Sequence, residues 1–209
     1  MKGLLAKEFI TILKQYKTNI IISLIFIPYS IILDNPLMLL FIPFIFSVLP
    51  ISALINDEVS HWNKYMYTMP VDKKEIVSSK YLSIVILAAI SIILTLLGNF
   101  GLFISGKEPI FDDLGISMIG SLVLSFIPPA FLFPFYLKFG VTKGKIVSLI
   151  FVAATSAIIP TVGSIGGFDL KFTNLPSVAL LKLGAFAVII VFFALSWLLS
   201  IALYKKHEA

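Results

Sequence analysis

Cysteine is absent from the 209 residues, which excludes disulfides, thiolate metal sites and a cysteine nucleophile and says little about compartment. Arginine is absent too. All sixteen basic residues are lysine, so the formal +5 charge sits on compact, well-hydrated ammonium groups rather than guanidinium forks, a weak basis for phosphate or nucleic-acid recognition. Charged residues of both signs make up only 13% of the chain. Histidine occurs twice, as His61 and His207, each isolated in a polar segment where a solvated side chain is the ordinary outcome. There is no fixed-period repeat, low-complexity tract or linker, so residues 1–209 are expected to form a single membrane domain.

What fills the chain instead is apolar. Hydrophobic residues make up 59% and the mean hydropathy is +1.04, more apolar surface than a soluble domain can bury. The runs Ile20 to Leu33, Leu37 to Ile55, Tyr81 to Ile104, Leu114 to Leu137, Ile146 to Val162 and Leu183 to Tyr204 read as six membrane-spanning helices, since about 20 residues cross the hydrocarbon. The expected fold class is an all-α membrane protein. Residues 1–17 place Leu5, Phe9, Ile12, Leu13 and Tyr16 on one helical face beside four lysines, the pattern of an amphipathic helix lying in the interface. A cleaved leader would need an uninterrupted apolar core, which Lys7, Glu8 and Lys14 break without a small-residue cleavage site, so the segment reads as part of the mature protein.

Thirteen of the sixteen lysines fall in segments on one side of the spans, around Lys2–Lys17, Lys64–Lys80, Lys138–Lys145 and Lys205–Lys206. That asymmetry predicts cytoplasmic N- and C-termini in a multi-pass protein of the cell membrane. It also places Asn56 to Tyr81, the only long polar stretch between two strongly apolar ones, in the cytoplasm. Val59, Trp62, Tyr65, Met66 and Met69 recur there at three- and four-residue intervals, so a helix over 56–70 gathers them on one docking face and turns Asp57, His61 and Lys64 elsewhere. Pro70 ends it. Asp72, with Glu75 three residues on, then reads as a variant capping box opening the third span.

Chemistry of its own is hard to find in the chain. Gly101 to Glu108 nearly spells a P-loop, but Glu108 stands where Ser or Thr should hold magnesium, an apolar span precedes it, and the lysine pattern puts it outside the cell. No carboxylate pair or His–carboxylate set converges at membrane depth, so no catalytic residue, metal site or ion-coupling site is expected. Pro28, Pro43, Pro50, Pro128, Pro129 and Pro134 interrupt the spans, and Phe126, Phe131, Phe133 and Phe135 crowd the fourth. The plain reading is kinked helices packed by aromatics; the sharper one is a greasy pathway for an apolar or amphipathic cargo, with Thr95 and Asn99 lining it or satisfied between helices.

The polar stretch carries a resemblance. Asp57, Glu58, Ser60, Trp62 and Tyr65, then Pro70 and the run Lys73-Lys74-Glu75-Ile76-Val77 with Ser79-Lys80-Tyr81, resemble the cytoplasmic coupling region of small six-span permeases of type-2 ATP-binding-cassette exporters, above all those exporting phenol-soluble modulins. Phe135 to Gly140 resembles the end of that family's fourth span, and Lys7-Glu8-Phe9 suits its interfacial helix. The resemblance implies a non-enzymatic permease subunit, paired with a second copy or a paralogue. A cytoplasmic ATPase subunit would bind ATP and magnesium, this chain holding no cofactor. Its coupling residues would be Asp57, Glu58, Ser60, His61, Trp62, Tyr65, Met66 and Met69, with Asp57, Glu58 and Lys64 at the rim. The cargo would be an amphipathic or hydrophobic peptide, phenol-soluble-modulin-like or antimicrobial, or a lipid-like molecule. The alternative is a membrane immunity or sensor protein that sequesters peptides or scaffolds a partner without transport.

Overall fold

The computed structural model describes residues 2–33, 35–62, 72–106, 114–165 and 178–206, and every element among them is helical. Helix α1 spans Lys2–Gln15 and α2 spans Lys17–Ile32, meeting at Tyr16 with a bend of 71°. A short 3-10 helix, Pro36–Leu40, leads into α3, Phe41–Val59. Helices α4, Lys73–Ile104, α5, Leu114–Ile165, and α6, Val178–Lys206, follow. Among the described residues four helical stretches are long and apolar enough to cross a membrane, in α3, α4, α5 and α6, and the bent pair α1–α2 makes a fifth if taken together. α2 runs through Pro28 and α3 through Pro50 without ending, so those prolines do not break their helices.

α5 folds back on itself. Gly140, with φ 73° and ψ 176°, is the one non-helical residue inside it. Phe131 and Phe151 stack with ring centroids 5.1 Å apart, whereas at 1.5 Å per residue an unbroken helix would separate them by about 30 Å. Residues 114–139 and 141–165 are therefore two limbs lying side by side. A Cβ on Gly144 would come within 2.4 Å of the Tyr136 ring, so this glycine sets how closely the limbs approach.

Two apolar clusters hold the bundle. Tyr81, Ile84, Leu132, Phe133 and Tyr136 pack with Ile51, Leu54 and Val77 where α3, α4 and α5 meet. Ile12, Leu39, Ile42, Phe46 and Leu49 form the second, between α1, the 3-10 helix and α3. α6 leans on the outside: Ile189, Ser196 and Ser200 are buried while Leu183, Val188, Leu195 and Leu198 are exposed, the distribution of a helix whose outer face lies against apolar surroundings. It is tied in by the Tyr81 hydroxyl, 2.7 Å from both Ser196 Oγ and Ser200 Oγ.

Candidate functional site: the charged end of the bundle

Lys80 shares the inward stripe of α4 with Val77, Tyr81 and Ile84, all buried. A cation there must find carboxylates, because an unpaired buried charge is far more costly than a paired one. It finds two. Its Nζ donates to Glu8 Oε1 of α1 at 2.8 Å and to Asp57 Oδ2 of α3. Lys7 donates to the other oxygen of Asp57 and lies 3.5 Å from Glu8 Oε1. The four side chains close a ring of alternating charge. The side chains of Glu8, Asp57 and Lys80 are each 6% exposed and that of Lys7 20%, so water screens the ring little.

The expectation that Asp57 stands at a water-facing rim is therefore corrected: α3 continues through Val59, and its last turn carries Asp57 into the bundle. Glu8 of α1 is buried as well. Glu58 also turns inward. Its Oε1 accepts the backbone N–H of Val141 at 2.9 Å, filling one of the donors left open at the start of the second α5 limb.

Around this core the junction of α1 and α2 is pinned to α3. Tyr16 donates its hydroxyl to the Ser52 carbonyl at 2.9 Å and accepts from Asn56 Nδ2 at 2.6 Å. Burial is the strongest influence on this phenol, which lies between helices, and raises its pKa. A pocket of about 320 Å3 opens alongside, lined by Thr11, Gln15, Asn56, Ser60 and Trp62 together with Lys7 and Asp57. The Lys7 ammonium stands 5.0 Å from the centre of the Trp62 ring, within cation–π range.

Beyond the ring the chain leaves the bundle. Ser60 closes α3, its N–H donating to the Asn56 carbonyl at 2.9 Å, and His61 turns the backbone aside with φ 54°. The expected helix over 56–70 is thus cut: Asn56 to Val59 finish α3, and a turn at Ser60 and His61 precedes Trp62, which is helical again. Of the expected coupling residues, Ser60 and His61 are exposed, Trp62 is half-buried under Lys7, and Tyr65, Met66 and Met69 lie outside the described residues; Val59, from the expected docking face, is exposed. Asp72 does take the N-cap position of α4, but no side-chain hydrogen bond completes the expected capping box.

Of the residues expected along a pathway, Thr95, Asn99 and Phe133 are buried, and Phe126, Phe131 and Phe135 are half-buried. Thr95 Oγ1 donates to the Ser91 carbonyl and Asn99 Nδ2 to the Thr95 carbonyl, both at 2.9 Å, with both side chains buried. Phe133 meets Tyr81 edge-on at 5.5 Å, Phe126 meets Phe193 at 5.1 Å, and Phe131 lies 5.1 Å from Phe135. No group of His, Asp and Glu able to hold a metal is found among the described residues.

Sequence reading missed Glu8 and Lys80 as a buried pair. The available signal was the spacing of Val77, Lys80, Tyr81 and Ile84, which puts a lysine on an apolar stripe.

Compared with known proteins, residues 3–205 match the family model described as ABC-2 family transporter protein. Comparison with curated proteins and with solved structures gives no match.

Proposed function

Because the chain belongs to the ABC-2 family of transporter proteins, we propose that it is the membrane subunit of an ATP-driven exporter whose fuel is burned by a separate cytoplasmic ATPase chain. The family and the apolar helices make it a multi-pass membrane protein and a permease component. The proposal adds six crossings, the two limbs of α5 counting separately and α2 supplying the first. It also adds cytoplasmic termini, a second permease copy or paralogue, and an amphipathic or hydrophobic peptide as cargo.

The observation that supports it most is the convergence of three lysine-bearing segments on the end of α3. Lys7 of α1, Asp57 of α3, Lys80 of α4 and the Gly140 turn of α5 meet at one end of the bundle, the end that the lysine distribution assigns to the cytoplasm. Val59 is exposed there and Trp62 follows one turn later. A partner seated on that surface would gain an apolar and an aromatic anchor, the side-chain types that dominate interface cores. Displacing it would act on α3 directly and on α1 and α4 through the ring.

Full-length tagged chain, purified from its native membrane and assayed for a co-purifying P-loop ATPase, tests the reading. The ATPase is expected to co-purify with the wild type and to be depleted about tenfold with Trp62→Ala, a loss typical of one interface anchor. Full peptide resistance in cells lacking that ATPase would favour the immunity reading instead.

A further inference from the structure

The ring of Lys7, Glu8, Asp57 and Lys80 divides along a helix boundary. Lys7 and Glu8 are neighbours on α1, 3.5 Å apart, while Asp57 and Lys80 belong to α3 and α4. Each half is neutral by itself. Pulling α1 away breaks the Lys80–Glu8 and Lys7–Asp57 contacts but leaves one intact ion pair on each side, so no bare charge is stranded. One further group lies ready. Among the described residues Tyr204 of α6 has a buried hydroxyl without a hydrogen-bond partner, and its side chain packs against the cluster of Val77 and Tyr81, which flank Lys80 on α4. A phenol can accept from an ammonium or donate to a carboxylate, so it can take the place that Glu8 vacates.

We infer that α1 is held to the bundle by a separable charge latch, which releases as two neutral pairs and hands Lys80 over from Glu8 to the Tyr204 hydroxyl. The inference needs neither the ATPase nor a cargo, and stands or falls apart from the transport reading. The apolar hold on α1 is narrow, since Ile12 is buried while Ile10 and Leu13 are 52% and 58% exposed. Tyr16 pins the far end of α1 to α3, so the latch governs whether the part of α1 before it stays down.

The test uses purified full-length chain in lipid nanodiscs. Spin labels go on Gly3→Cys and Thr142→Cys, possible because the chain has no other cysteine and because a Cβ on Gly3 meets nothing within 4 Å. Glu8→Gln and Lys7→Gln each leave the ring with one unmatched charge and are expected to lower the melting temperature by roughly 10 °C. The double variant Lys7→Gln/Glu8→Gln restores neutrality: it should melt closer to wild type than either single variant and show a longer label distance, with α1 lifted. Adding Tyr204→Phe to the double variant should lower its melting temperature again. If the double variant melts as low as the two losses summed, fails to fold, or keeps the wild-type distance, the latch is wrong.

Discussion

The backbone N–H of Val141 donates to Oε1 of Glu58 at 2.9 Å, joining residues 83 positions apart. Helix starts leave their first N–H groups open, and a carboxylate there also meets the positive end of the helix dipole. Glu58 thus caps, from the last turn of α3, the returning limb of α5. Glu58→Gln keeps an acceptor and should cost about 0.5–1 kcal/mol, whereas Glu58→Ala should cost about 1–2 kcal/mol. Unfolding in mixed micelles of graded denaturing detergent reads both; a Glu58→Gln variant as stable as the wild type would mean that the cap contributes no charge effect.

The α5 hairpin rests on two glycines with different duties. Gly140 has φ +73°, and a Cβ there would lie 3.0 Å from Glu58 Oε1, so Gly140→Ala should cost about 1–2 kcal/mol for the left-handed backbone and disturb the cap as well. Gly144 is not in that conformation, but its added Cβ would sit 2.4–2.9 Å from atoms of the Tyr136 ring. Gly144→Ala should therefore destabilise by about 1–3 kcal/mol through overpacking. Shrinking the neighbour with Tyr136→Leu should recover part of that loss and none of the loss from Gly140→Ala.

His61 occupies the left-handed region at φ 54° just after α3, a position that glycine usually fills at helix ends. His61→Gly should stabilise the chain by up to about 1 kcal/mol, and His61→Val should destabilise it, a β-branched side chain fitting that backbone worst. A melting temperature that fell on His61→Gly would show that the imidazole makes a contact outweighing the backbone strain.

Much of the fold was legible because hydropathy is a local property. The runs beginning at Leu37, Tyr81 and Leu183 each returned as a helix, since any segment so apolar must satisfy its own backbone as it crosses lipid. Asp72 was legible as a helix start for an equally local reason. The ring was not legible in this way: it joins residues 50 and 72 positions apart, and no periodicity reports such pairings. A solvent-facing reading of Asp57 followed from treating charge as a mark of exposure. Lys80 shows the opposite, a charge admitted to the interior because two carboxylates await it.

Tyr81 links α4 to α6 through Ser196 and Ser200, and Ser196 in turn donates to the Ala130 carbonyl of α5. Hydrogen bonds between membrane helices contribute about 0.6 kcal/mol on average and up to about 1.7. Tyr81→Phe removes one hydroxyl serving two partners, so a loss of about 1 kcal/mol is expected, with the ring contacts to Phe133 and Phe193 retained. Detergent unfolding of Tyr81→Phe against a Ser196→Ala/Ser200→Ala variant checks it; strictly additive losses in the triple variant would argue against a shared network.

The most direct test of the central claim is ATP-dependent accumulation of a fluorescent amphipathic peptide in sealed inside-out vesicles carrying this chain together with the ATPase proposed as its partner. Accumulation is expected only when both chains and ATP are present, and should fall about tenfold with Trp62→Ala while the vesicles remain sealed. Uptake by this chain alone, or unchanged uptake in the Trp62→Ala complex, would contradict the account.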